Sequence, residues 1–469
     1  GAAVPALGRA LAAAREAARL AASGGADGAR EVFARQADVA RRALLAAAGI
    51  SLRFRAEDDR WIPGETVSVH AELWNGSGTS VTAREPELRL PPRWEARLLP
   101  ADSVGPTPSE RSRFYGSEPA LAGGEGKLDL PAGELARWTF RVGIPESARP
   151  TEQYFLLRER AGDLYRWPED PELRGEPHSP PLATGRLPLR LDAGAGRAVV
   201  TSMSREVRYR GVDKARGEFW RPVHVVPRLS VSTRPGVLIS PARDHSPGEG
   251  RAVPDSVTVT VRSQVDDSVR ADLSLRLPEG WAAEPGRRTV RLTGRGASET
   301  RSFALRERAR AMADPAGADS DAARETDGDG WTTHRVSAEV TATGGAAAGP
   351  WSRELSMIDY PHIDPVPLLR DAELRVESFP VEVDRGRRVG YVMGTGDDVP
   401  AAIRQLGLPV TMIGEGRLRS GDLDDFDVIV LGVRAYEVRE DLQAANPQLL
   451  EWVRDGGTLL VQYNKYEFV

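Results

Sequence analysis

The chain has 469 residues and no cysteine. That absence excludes disulfides, thiolate metal sites and cysteine nucleophiles. Lysine is almost missing too, with only Lys127, Lys214 and Lys465 among 63 Lys and Arg. With abundant alanine, the arginine excess reads as a high-GC coding bias rather than a binding adaptation. The net charge of −5 lacks the clustered basic excess of a nucleic-acid binder, so no nucleic-acid partner is expected. His70, His178, His224, His245, His334 and His362 are scattered. No two have zinc-ligand spacing, and neither H-E-x-x-H nor G-x-S-x-G occurs. No apolar run comes near the roughly 18 residues of a membrane span, and no signal peptide stands ahead of Gly1. Both ends read as cut: the chain starts at Gly inside a helical pattern and stops just after a strand. An internal fragment of a longer protein is expected.

What is present is clearest between Gly386 and Val469. Four short apolar runs, Arg388–Met393, Val410–Ile413, Val428–Leu431 and Thr458–Val461, are rich in β-branched residues and end at Gly or polar residues. They predict strands buried on both faces. Val399–Leu406 and Pro447–Arg454 predict helices, the first with Asp398 as N-cap and Gly407 as its stop. The alternation gives a C-terminal α/β domain with a parallel sheet, truncated, over residues 386–469.

Residues 1–49 predict a helical hairpin, 2–22 and 28–48 around Ser23-Gly24-Gly25. The second helix carries Val32, Val39, Leu44 and Ala47 near one face, with Gly49 at the C′ position. So narrow a stripe suggests packing on something else, such as a domain beyond this chain. From Ile50 the period becomes two, with Thr66–Leu73 alternating ahead of the turn Asn75-Gly76-Ser77-Gly78. Leu88-Arg89-Leu90-Pro91-Pro92-Arg93-Trp94 recurs as Leu275-Arg276-Leu277-Pro278-Glu279-Gly280-Trp281. Thr66–Leu73 and Ser256–Val261 precede the two copies; Glu134–Val142 and Glu299–Leu305 follow them. The repeat predicts two tandem β-sandwiches of immunoglobulin-like type, residues 50–228 and 229–360, each with its Trp plugging an open end. Tyr154–Pro181 reads as a long insertion in the first, Ser337–Thr343 and Arg353–Ile358 as closing strands of the second, and 361–385 as a stiff linker.

Candidate site residues lie where the strands of the α/β region end. Gly394-Thr395-Gly396-Asp397-Asp398 follows the first strand but is neither a dinucleotide fingerprint nor a P-loop. Its carboxylates suit either a helix start or sugar hydroxyls. Arg434 and Tyr436 follow the third strand, and Asn464 follows the fourth. A parallel sheet brings Thr395, Asp397, Asp398, Arg434, Tyr436 and Asn464 to one edge, as solvent-facing loop residues or as a polyol or carboxylate site. The acidic run Asp319, Asp321, Glu325, Asp327 and Asp329 lacks EF-hand spacing and reads as a solvated loop, not a metal site.

The order of segments, together with Tyr360-Pro361-His362-Ile363, YVMGTGDDVP, FDVIVLGVRAY and GGTLLVQYN, resembles the C-terminal region of bacterial PIG-L-type (LmbE-like) deacetylases. The second sandwich resembles the NPCBM-associated domain of α-galactosidases. The last segment resembles a class I glutamine amidotransferase-like (ThuA-like) domain of flavodoxin-like architecture. The resemblance implies a secreted, periplasmic or envelope protein that deacetylates N-acetylglucosaminyl groups with zinc. The zinc would sit in an upstream domain marked by Ala-His-Pro-Asp-Asp, a motif this sequence lacks, so no cofactor and no catalytic residue is expected here. Where the amidotransferases carry their nucleophilic cysteine, this chain reads Gln462-Tyr463-Asn464. The expected function is a non-catalytic accessory region, with a glycan or N-acetylated sugar and the upstream catalytic domain as partners. The alternatives are a hydrolase or sugar-modifying enzyme using Asp397 and Asp398, and a structural spacer or dimerisation module.

Overall fold

The computed structural model describes residues 3–100, 120–121, 127–158, 160–192, 198–241, 251–307, 324–326, 330–343 and 349–465. They are mostly β-sheet behind a short helical pair, in two units. One comprises Gly1–Arg228 and Leu355–Leu369, the other Leu229–Glu354 and Arg370–Val469.

In the first unit the Ala-rich opening forms helices Val4–Ser23, with Pro in its first turn, and Asp27–Ala47. The second stops at Gly49, whose φ of 72° is the left-handed conformation a helix C′ position favours. The packing face differs from the expected stripe. Val32, Val39 and Ala47 are exposed, Val39 at 57%, whereas Leu11, Leu44 and Leu45 are buried. The helices do pack on a neighbouring element within the chain. Their buried leucines join the same core as Phe54 and Trp138 of the adjoining sheet.

That sheet is one curled, sandwich-like surface. Its path runs Glu95–Leu98, Leu135–Gly143, Thr66–Asn75, Ile50–Ala56, Ala198–Asp213, Thr184–Asp192, Val81–Ala83, Leu128–Leu130. The 16-residue strand Ala198–Asp213 makes the curl. Its first part pairs antiparallel with Thr184–Asp192, and Val207–Tyr209 pairs parallel with Phe54–Ala56. Phe54 reaches across to Gly185, where a Cβ would stand 2.1 Å from the ring. Only glycine fits there. Residues 154–181 are mostly loop with two short 3-10 turns.

In the second unit Leu229–Arg234, Arg251–Ser263, Ser298–Glu307 and Trp281–Glu284 form one antiparallel sheet. This order matches Ile50–Ala56, Thr66–Asn75, Leu135–Gly143 and Glu95–Leu98 of the first unit, strand for strand. The turns at the repeat match as well. Trp94 N–H donates to the Pro91 carbonyl and Trp281 N–H to the Pro278 carbonyl, both at 3.2 Å. Arg93 and Gly280 occupy the same place with φ of 72° and 82°. The two Trp side chains differ, however. Trp281 is buried, while Trp94 is half-buried against Trp61 at 6.0 Å between ring centroids.

Two boundaries are corrected. Residues 361–385 are not a linker: Glu373–Ser378 pairs with Thr332–Ala342 and Val237–Ile239 inside the six-stranded sheet of the second unit. The prolines at 361 and 365 masked the alternation of Leu374 and Val376, both fully buried. Arg353–Ile358 is not a closing strand of the sandwich either. It pairs with Val366–Asp371 in a separate two-stranded sheet.

Beyond Gly386 four parallel strands stand in the order Val410–Met412, Val389–Val392, Val428–Leu431, Thr458–Val461. Short helices connect them: Val399–Gln405, Glu415–Ser420, Ala435–Val438, Glu440–Ala444 and Asn446–Arg454. Only the two middle strands are buried. Met412, Leu460 and Val461 are exposed at the edges, so burial of all four on both faces does not hold. Gln405 is buried and accepts the Ile239 N–H at 2.7 Å, which fixes the first of these helices to the neighbouring sheet.

Candidate functional site

The strand order puts a reversal between Val389–Val392 and Val428–Leu431, the place where open parallel sheets gape at their carboxyl ends. Here the base of the gap is shut by backbone. Thr395 N–H donates to the Val433 carbonyl at 3.0 Å. A Cβ on Gly394 would lie 2.1 Å from that same carbonyl oxygen. Gly432, opposite, would place its Cβ 2.7 Å from Gly394 N and 3.0 Å from Asp397 Oδ2.

Above this base three polar side chains meet. Tyr391, fully buried, donates from Oη to Asp397 Oδ1 at 2.6 Å and accepts from Gln462 Nε2 at 2.8 Å. Burial, reinforced by the Asp397 carboxylate, raises the Tyr391 phenol well above its ordinary value. Asp397 Oδ1 also accepts the Val399 N–H at 3.1 Å. Asp397 is therefore the side chain that caps the helix. Asp398, the expected N-cap, is exposed and makes no capping bond, because the backbone turn at Gly396 brings the earlier carboxylate over the helix start.

Asp397 Oδ2 and Asn464 Oδ1 are buried without a hydrogen-bond partner. Asn464 Nδ2 donates to the Gln462 carbonyl at 2.9 Å, which holds the loop after the last strand. Arg434, in the left-handed region at φ 57°, donates its backbone N–H to the Tyr463 carbonyl at 2.7 Å. Its guanidinium is clamped by both carboxylate oxygens of Glu437, so it has no free fork to offer. Tyr436 turns toward Asn446, donating to Oδ1 at 2.7 Å, and burial raises its phenol. Thr395 is exposed and its hydroxyl donates to the Val433 carbonyl at 3.3 Å.

Asp397 thus joins Tyr391 and Gln462, while Arg434 and Tyr436 are turned to local partners. Tyr391 and Gln462 were not among the expected site residues. The available signal was a lone phenol in an otherwise aliphatic strand, which when buried requires a polar partner. Among the described residues no three His, Cys, Asp or Glu side chains are grouped to hold a metal ion. Asp319, Asp321, Asp327 and Asp329 lie outside the described residues, as does the side chain of Glu325. No helix of the described residues is long and apolar enough to cross a membrane.

No family model matches the sequence, and no curated protein matches it. Solved structures align only loosely. A protein of unknown function from Porphyromonas gingivalis W83 matches at 11% identity and TM-score 0.18, over 70% of this chain and 99% of that one. The PapD-like domain 7 of human CEP192 matches at 13% and 0.16, over 33% and 87%. Trypsin-activated α2-macroglobulin from Escherichia coli matches at 8% and 0.20, over 71% of this chain and 18% of that one. Overlaps this low assign neither a fold family nor a function.

Proposed function

We propose that this chain is the non-catalytic accessory region of a PIG-L-type carbohydrate deacetylase acting outside the cytoplasm. It binds glycan and positions a zinc hydrolase domain carried upstream in the same protein. In this reading the sandwich-like sheets are immunoglobulin-like, the second of NPCBM-associated type, and the C-terminal parallel sheet is a flavodoxin-like, amidotransferase-like domain. At the position of the amidotransferase nucleophile, Gln462 is a hydrogen-bond donor to Tyr391, which supports binding rather than glutaminase chemistry.

The observation that carries the proposal is the pair of buried, unpartnered oxygens, Asp397 Oδ2 and Asn464 Oδ1. Buried acceptors without donors are rare in folded proteins, and a polyol is the ligand class that supplies hydroxyl donors in number. Glycan-array profiling of the whole chain tests it beside Asp397→Asn, which keeps the acceptor toward Tyr391 and turns the other oxygen into a donor. The parent should capture N-acetylated glycans and the variant, still folded but melting somewhat lower for want of the charged acceptor of Tyr391, should lose them. A blank array, or a variant that captures as well as the parent, rejects the proposal.

A further inference from the structure

The curl of the first unit leaves an opening with its own chemistry. Parallel pairing joins Phe54–Ala56 to Val207–Tyr209 and does not extend upstream of Phe54. From there the long strand continues toward its start beside Thr184–Asp192. The two strands part, and between Ile50–Phe54 and Arg205–Arg208 lies an open cavity of about 360 Å³ that Trp220 also lines. Small-molecule sites occupy roughly 300–1,000 Å³, so this is room for a sugar rather than for a bare ion. The buried ring of Phe54, resting on Gly185, backs it with apolar surface.

Its walls are cationic in a chain of net negative charge. Arg53 lies over the Trp220 ring at 5.0 Å from the centroid, with the Glu218 carboxylate that accepts from Trp220 Nε1 in electrostatic reach. Arg205 is exposed and donates only to the Ser204 carbonyl at 3.0 Å among the described residues. Arg208 is held by Asp364, by the Trp220 carbonyl at 3.2 Å and by Glu206 at 3.5 Å, yet its buried Nε has no acceptor. Burial raises the Glu206 carboxyl above its ordinary value, and Glu206 is the acidic side chain among those lining the cavity. Two exposed guanidiniums beside an aromatic face, and a third with a buried donor unmet, suit a planar oxyanion.

We propose that this split between strands binds the carboxylate of an acidic saccharide, a uronate, with Arg53 and Arg205 holding the anion and Trp220 walling the sugar ring. The site is independent of the deacetylase reading and of the C-terminal strand ends. Calorimetric titration of the whole chain with trigalacturonate, the neutral galactose trimer and inorganic phosphate tests it. Trigalacturonate should bind, more weakly as salt is added, and the other two should not compete. Arg53→Gln and Arg205→Gln should each weaken binding roughly tenfold with no change in melting temperature, since neither side chain is buried or ion-paired. No heat with trigalacturonate, equal binding of the neutral trimer, phosphate binding as tight as the uronate, or an unaffected double variant would each overturn the proposal.

Discussion

Tyr391 and Asp397 share a 2.6 Å hydrogen bond at the carboxyl end of a buried strand, and the same carboxylate caps the helix that follows. One short contact therefore sets strand, loop and helix together. Because folding raises the phenol's pKa, the linkage has a definite sign. Stability is fully present below the unfolded value of about 10 and is lost as pH rises above it. Chemical denaturation at rising alkaline pH should show this loss, and Tyr391→Phe should remove Tyr391's share of it. At neutral pH the same variant should cost about 1.5–3 kcal/mol, from the lost bond to a charged acceptor.

Gly185 leaves no room for a side chain. An added Cβ meets the buried Phe54 ring at 2.1 Å, with the core on the far side of that ring. Gly185→Ala should destabilise by about 1–3 kcal/mol through overpacking. Adding Phe54→Leu should recover part of the loss. Thermal melts of the single and double variants check both statements.

The two copies of the Leu-Pro-Trp turn make a reciprocal prediction. Arg93 carries a left-handed backbone that Gly280 adopts freely at the equivalent position. Arg93→Gly should stabilise its unit by about 1 kcal/mol and Gly280→Arg should destabilise by about as much. Trp281→Ala should cost about 3–5 kcal/mol, and Trp94→Ala clearly less, because Trp94 is only half-buried. Equal losses for the two tryptophans would contradict the burial difference.

Legibility followed period and punctuation. The strand at Thr66–Leu73 and the repeated Leu-Arg-Leu-Pro turn were readable because strand propensity and turn chemistry are local, although Ser68 through Ala71 are all buried and the alternation itself does not hold. So was the helix stop at Gly407, a left-handed glycine after the last helical residue. Long-range partners were not readable. Val39 looks like a core residue by type, but the face buried by the helical pair is fixed by the sheet beneath it, which selects Leu44 and Leu45. Glu373–Ser378 lies between Pro365 and Pro380, and only its pairing with Thr332–Ala342 reveals a central strand. At the candidate site both Asp397 and Asn464 follow strand ends, and each is held there by local partners, Tyr391 and Val399 for the first and Gln462 for the second. Which of the nearby polar groups would be satisfied locally depended on three-dimensional contacts, such as the grip of Glu437 on Arg434.

The central claim is that this chain binds N-acetylated sugar without processing it. A proton NMR titration of N-acetylglucosamine oligosaccharide with the whole chain reads both halves in one sample. The account predicts saturation transfer from protein to the sugar's N-acetyl protons and no acetate signal on prolonged incubation, with zinc present or absent. Acetate accumulating in proportion to the chain, or no transfer to the sugar at all, would contradict it.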